Sequence, residues 1–257
     1  MKEYTISKKA RIDKSVIIGP YSIIEEDAEI GANNKIGSYV IIKKGTIIGN
    51  NNNIHAGVQI GIDPQDYHFE GEPSKCIIGD NNVIREYTTI SRATGKNKKT
   101  VIGNSNFIMT YVHIAHNTKI GNNTIISSSA QLGGYVEIDN FVNIGGLVGV
   151  HQFCRIGKYA MLGAKSYLNK DLPPYLLARG NRAKVYGVNI KGLQRNSFSH
   201  EEIEDIKDLY RIIYNSYYNL TECIKILKEK KAMNKYVGEI LKFIELSKRG
   251  ILLKTNI

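Results

Sequence analysis

An aliphatic residue recurs at every sixth position over most of this chain of 257 residues, and that period is what most narrows the fold. The series runs Ile6, Ile12, Ile18, Ile24, Ile30, Ile36, Ile42, Ile48, Ile54 and Ile60, then Ile78, Ile84 and Ile90. It returns in phase at Ile102 and holds through Ile108, Ile114, Ile120, Ile126, Leu132, Ile138, Ile144, Val150, Ile156, Leu162 and Leu168. Of these 25 positions, 21 are Ile and the rest Leu or Val. Helical packing needs a period of about 3.6 and an ordinary amphipathic strand one of about 2, so neither fits. A solenoid does. Each hexad forms a short strand and a turn, and three hexads close a triangular coil. Coils then stack about 4.8 Å apart through parallel ladder bonds, with the recurring Ile filling the prism.

The other positions of the hexad agree. The residue after the aliphatic one is Gly in 12 of the 25 units, as at Gly19, Gly31, Gly49, Gly121, Gly145 and Gly157. Four after it the residue is small or β-branched, as at Ala28, Val40, Thr46, Val112, Ala130, Val142 and Ala160, which suits an inward place near a corner. Cys154 falls in this set, which gives it a packing role. Asn50-Asn51-Asn52-Asn53 and Asn122-Asn123 suit tight turns, because Asn tolerates left-handed backbone.

The phase breaks over 61–76 and again over 95–100, and each time resumes in register. Such insertions are loops projecting from the solenoid, often on its binding face. The first mixes charged and aromatic side chains and is expected to lie over an active site. The second is short and basic, and is expected to be a solvated turn. Beyond Pro173-Pro174 the period stops, and Ser199 followed by Glu202 signals a helix start. Ile203, Ile206, Tyr210 and Ile213 would share one face of that helix. Further helices are expected near 220–231 and 234–248, the last striped by Val237, Ile240, Leu241 and Ile244 and stopped by Gly250. The chain therefore divides into a mostly β solenoid over 1–188 and a helical domain over 189–257 that caps it.

A formal charge of +11 makes the surface attractive to polyanions, among them nucleic acid, anionic lipid, nucleotide sugars and acidic carrier proteins. No apolar run approaches the ~20 residues that span a bilayer, so no transmembrane segment is expected. Cys76, Cys154 and Cys223 are scattered, without CxxC spacing, and no leader-like segment precedes Ile6. These features point to a reduced, cytoplasmic protein.

Three histidines, His113, His116 and His151, belong to the regular coils. With Ile114 inward, its polar neighbours are left for the surface or for a groove between subunits. Residues one coil apart stack, so Gly134 should lie over His116 at about 4.8 Å, with Gln152 one coil farther. A base, an unobstructed backbone N–H and an amide along one edge suit acyl transfer. The same spacing is also open to a zinc site or to purely structural histidines.

Several strings carry a resemblance: 113–117 (His-Ile-Ala-His-Asn), 144–146 (Ile-Gly-Gly), 150–154 (Val-His-Gln-Phe-Cys), 171–175 (Asp-Leu-Pro-Pro-Tyr) and 187–193 (Gly-Val-Asn-Ile-Lys-Gly-Leu). Gly71-Glu72-Pro73, Ile84-Arg85-Glu86 and Arg249-Gly250-Ile251 extend it over nearly the whole chain. The sequence closely resembles the hexapeptide-repeat UDP-N-acetylglucosamine O-acyltransferases that begin lipid A synthesis. That likeness implies a left-handed parallel β-helix, against the usual right-handed rule for parallel crossovers. It also implies a homotrimer with active sites between subunits. The acyl donor would ride on the phosphopantetheine of acyl carrier protein, with no other cofactor, no metal and no nucleic acid.

By resemblance, His116 matches the general base and Gly134 the oxyanion donor. Asp66, His113 and Gln152 match positions around the sugar and diphosphate, and His151, Asn189 and Arg195 positions farther along the groove. Ala164 matches the position that measures the acyl tail, and its small size implies a long one. Asn117 stands where many relatives have Asp, Tyr135 where a histidine is common, and His68 where the loop has a lysine. Lys191 and Asn196 replace a Glu and an Arg near the uridine end. Tyr135, close to the acylated sugar position, raises a 3-amino UDP-sugar as an alternative acceptor. The later N-acyltransferase of the pathway is a rival that normally carries an additional N-terminal domain. A carbonic anhydrase of the same fold is a more distant one, needing three histidine ligands from two subunits. Lys165, Lys170, Arg179, Arg182 and Lys184 form an expected docking patch for the acidic carrier protein.

Overall fold

The computed structural model describes residues 4–215, 218–230 and 234–252. Short strands at each hexad assemble into three parallel sheets, the faces of a triangular left-handed β-helix. The first sheet runs from Thr5–Ile6 to Tyr167–Leu168, the second from Arg11–Ile12 to Arg155–Ile156, and the third begins at Ile17–Ile18. The recurring aliphatic residue points inward in every coil, and from Ile24 onward each is buried. Each such side chain contributes about 1.5–3 kcal/mol by leaving water. Ile6, Ile12 and Ile18 are only half-buried, because no coil covers the first one.

At most corners the third residue after the aliphatic one takes left-handed backbone, with φ near +60° at Asn33, Asn51, Asn81, Asn117 and Asn123 and also at Tyr21, Tyr39, Tyr87, Tyr111 and Tyr135. The asparagine run at 50–52 shows that turn conformation is only one of three uses. Asn51 is the left-handed residue. Asn52 points inward and joins a buried ladder, donating Nδ2 to Asn34 Oδ1 while its own Oδ1 accepts from the Asn82 N–H and Nδ2. Asn106 and Thr124 continue that ladder. Asn50 belongs to a second, outer ladder with Asp80, Asn104, Asn122 and Asn140, in which each side chain accepts the N–H of the coil before it. A stacked coil leaves these corner N–H groups without strand partners, and the side-chain ladders satisfy them.

The first insertion is tighter than expected, the second begins earlier than expected, and the two share one corner. The flanking strands reach from Gln59–Ile62 and Lys75–Ile78 to Thr89–Ser91 and Lys99–Ile102, so the loops are 63–74 and 92–98. Within the first sheet Ile60 pairs with Ile90, and Ile90 with Ile114, where a regular coil would advance 18 residues. The extra lengths, 12 and 6 residues, are whole hexads. That is why the phase returns.

Past the last coil a strand at Leu176–Arg179 extends the third sheet, and Lys184–Val188 turns back antiparallel to it. Among the described residues four helices follow: α1 (Ile190–Arg195), α2 (His200–Asn215), α3 (Leu220–Glu229) and α4 (Val237–Glu245). The capping box at Ser199 and Glu202 is formed. Helix α1, capped by Asn189, had no periodic signal. Helix α4 ends at Glu245 with Leu246 as its C-cap, so Gly250 is not its stop; the Gly250 carbonyl instead accepts the Asp171 N–H and ties the tail to the last coil. The expected end of the third helix at 231 lies outside the described residues. Arg155 clamps α4 to the second sheet, over the Phe243 ring and bonded to its carbonyl at 3.1 Å.

Candidate active site

Both insertions leave the prism at the edge between the first and second sheets, and the next coil turns the same corner through 115–118. His116 stands there, only 6% exposed. Its neighbour Asn117 is gripped by the second loop: Nδ2 donates to the Thr94 carbonyl at 3.0 Å, and Oδ1 accepts the Thr94 N–H at 3.0 Å. These two bonds fix which end of the amide faces the imidazole. Oδ1 lies 2.8 Å from His116 Nδ1 and can only accept, so the ring proton sits on Nδ1. In the neutral ring Nε2 then carries the lone pair.

Nε2 faces the next coil. A Cβ on Gly134 would stand 2.5 Å from it, so the approach of ring to backbone requires glycine. Among the described residues no acceptor takes the Gly134 N–H. Asp66 enters from the first loop, with Oδ2 at 3.7 Å from Nε2. Hydrogen bonds to Oδ1 from the His68 N–H, and then from its ring, hold the Asp66 carboxyl below the usual carboxylate range, against the opposing effect of burial. The His68 ring is otherwise exposed. His113 bonds Thr89 Oγ1 at 2.8 Å; burial, then the nearby His116, lowers its pKa from the ordinary imidazole value. Tyr135 meets the His116 ring edge-on at 5.4 Å and stacks on Phe153. His151 and Gln152 are exposed on the same edge one coil farther, with His151 Nδ1 at 2.9 Å from the Gln152 carbonyl.

The remaining expected residues lie elsewhere. Asn189 is buried, its Oδ1 capping α1 at Gly192 and its Nδ2 donating to the Tyr159 carbonyl, on the edge between the second and third sheets. Arg195 is exposed at the end of α1. Ala164 is on the edge between the third and first sheets. One protomer does not bring these three to His116. Sequence reasoning missed the second loop, which is no free turn: Arg92 within it is buried, and its Thr94 backbone orients Asn117. The signal was available, since insertions of whole hexads at one corner must stack on each other. Among the described residues, no group of three or more His, Cys, Asp and Glu is arranged to hold a metal ion.

A parallel β-helix with a tautomer-set imidazole against a bare backbone N–H defines the class as a hexapeptide-repeat acyltransferase. Matches to the bacterial transferase hexapeptide family cover 9–44, 27–62 and 99–134, and 171–252 match the second domain of UDP-N-acetylglucosamine O-acyltransferase. The acyl-[acyl-carrier-protein]–UDP-N-acetylglucosamine O-acyltransferase of Thermodesulfovibrio yellowstonii is 47% identical, over 97% of each chain. That of Paraburkholderia phymatum is 41% identical over 96% of each. The crystal structure of the Francisella novicida UDP-N-acetylglucosamine acyltransferase superposes with a TM-score of 0.95 at 39% identity, covering 98% of this chain and 93% of that one. The chain belongs to the UDP-N-acetylglucosamine O-acyltransferase family.

Proposed function

We propose that the protein transfers an (R)-3-hydroxyacyl chain from acyl carrier protein to the 3-hydroxyl of UDP-N-acetylglucosamine, the first step of lipid A biosynthesis. The observation that carries this reading is the free Nε2 of His116, set by Asn117 and facing the Gly134 backbone. Nε2 takes the proton of the acceptor hydroxyl as its oxygen attacks the thioester carbonyl. The Gly134 N–H donates to the resulting oxyanion. Collapse of the tetrahedral intermediate breaks the C–S bond, and the imidazolium returns its proton to the departing phosphopantetheine thiolate. No cofactor beyond that carrier group enters the scheme. Asp66, His68, His113, His151 and Gln152 flank the base and are assigned to the sugar nucleotide. Ala164 is assigned to the end of the acyl tail.

The family's homotrimer fits two features of the chain. Tyr21, Tyr39, Tyr87, Tyr111 and Leu147 form an exposed apolar ladder along the edge between the third and first sheets. Asn189, Arg195 and Ala164 reach a site only if a neighbouring subunit supplies them. Carrier docking is assigned to Lys165, Lys170, Arg179, Arg182 and Lys184, all exposed and without an ionic partner among the described residues. Cys76, Cys154 and Cys223 are buried and form no disulfide among the described residues, which accords with a cytoplasmic site of action. A second acceptor, a 3-amino UDP-sugar, is favoured by the Tyr135 ring against the base. The test is turnover of both UDP-sugars by wild type and His116→Ala with acylated carrier protein. Loss of about 10²- to 10⁴-fold in kcat/KM supports His116 as base. The faster acceptor decides between ester and amide product.

A further inference from the structure

Arg92 is a buried cation inside the second loop, and its hydrogen bonds, ion pair and ring contact run to the first loop and to the strand residue just before it. Its side chain is 5% exposed, with Nε at 3.0 Å and Nη2 at 2.9 Å from Asp63 Oδ1. The guanidinium lies over the Phe69 ring at 4.8 Å, and the Arg92 N–H donates to the Ile62 carbonyl at 2.9 Å. Arg92 thus holds both ends of the segment that carries Asp66. Two further bonds run between the loops: the Gly95 N–H to Glu72 Oε1, and the Asn97 N–H to the Pro73 carbonyl at 2.8 Å. Two residues after Arg92, the Thr94 backbone holds the Asn117 amide that sets the tautomer of His116. A buried guanidinium that gives two N–H donors to one carboxylate oxygen and lies on an aromatic face is a stronger fastener than an ion pair exposed on both sides.

The geometry points to Arg92 as a positioning residue that locks the first insertion loop over the base, so that Asp66 is presented to the acceptor at a fixed distance from Nε2. This rests on the acyl-transfer reading above. Arg92 touches no reacting atom. Its loss should free the loop and weaken acceptor binding, while the coil and the donor site stay intact.

The experiment compares wild type, Arg92→Met and Phe69→Leu in the full-length protein by hydrogen exchange and by steady-state kinetics. Met fills the space of the arginine stem without its charge. Phe69 is on the half-buried loop, so its change leaves the coil folded even if Arg92→Met does not. In both variants the expected result is faster exchange over 63–72, with the coils around 113–138 protected as in wild type. KM for the UDP-sugar should rise about 10-fold, with KM for the acylated carrier unchanged. Adding Asp66→Asn to Arg92→Met should raise that KM by less than the product of the single effects, since both act on one contact. Unchanged exchange over 63–72 overturns the proposal, as do equal rises in both KM values or independent effects of Arg92 and Asp66. If wild type transfers no acyl chain, the functional reading fails, and loop exchange still tests the lock.

Discussion

At His116 the free nitrogen is chosen by the Asn117 amide, and the amide in turn by the Thr94 backbone. Replacing Asn117 by Gly isolates that choice, because Asn117 has φ of +59° and glycine adopts this conformation without strain. The imidazole proton would then be free to move to Nε2, where it blocks proton abstraction. We expect Asn117→Gly to lower kcat by about 10- to 100-fold and to cost about 1–3 kcal/mol of stability from the stranded Thr94 backbone groups, as measured by initial rates well below the melting point beside a thermal scan. Alanine would confound the result with about 1–2 kcal/mol of left-handed strain. The stacking of Gly134 on His116 was legible from the sequence, since residues one coil apart must lie one ladder spacing apart. The grip of Thr94 was not. It joins residues 23 apart, a separation set by the insertion and not by the coil.

Among the elements, the inner asparagine ladder and the last coil carry opposite electrostatic burdens. Asn52 is 1% exposed, accepts from Asn82 and donates to the Gly79 carbonyl. Truncating it to Ala strands several of these buried groups, so we expect a loss of about 2–4 kcal/mol in urea unfolding. Asp171 is the reverse case. Burial raises the pKa of its carboxyl above the ordinary value, although the Arg155 N–H and Ser247 Oγ bond to it at 2.8 and 2.6 Å. A carboxyl whose folded pKa is raised stabilises the fold below the unfolded value of about 3.9, and loses that contribution as pH rises through the folded value. Asp171→Asn keeps an acceptor for Arg155 and a partner for Ser247 without the charge. It should therefore melt at or above wild type at pH 8, with the difference shrinking toward pH 4. The strands were legible because the period names every inward residue. Asparagine had three roles under one letter, so the ladders were hidden. Helix α1 was hidden as well, because it is held by a single cap at Asn189 and has no stripe.

For the molecule as a whole, the hexad period specified a solenoid but neither its hand nor its assembly, since inward residues recur alike in either hand and outward ones depend on a neighbour. The proposed trimer makes a quantitative claim, because His116 is on the corner between the first and second sheets while Arg195 ends α1 beyond the last coil, and one chain does not bring them together. If each site takes His116 from one subunit and Arg195 from the next, subunits carrying His116→Ala and subunits carrying Arg195→Ala have complementary defects. Co-expressed in equal amounts, they assemble at random around a three-fold axis, and a site is intact when its first subunit has His116 and its second has Arg195. About one quarter of the sites meet both conditions under closed cyclic symmetry. The mixed protein should thus recover roughly a quarter of wild-type kcat per site, while each variant alone remains nearly inactive. Recovery is measured on trimers purified through two different affinity tags, which excludes homotrimers; each remaining ring has one intact site of its three, so the value expected there is about one third. Were both residues to serve the same site from one chain, every subunit would lack one of them. The mixture would then be no more active than its parents, and the division of the site between neighbours would be wrong.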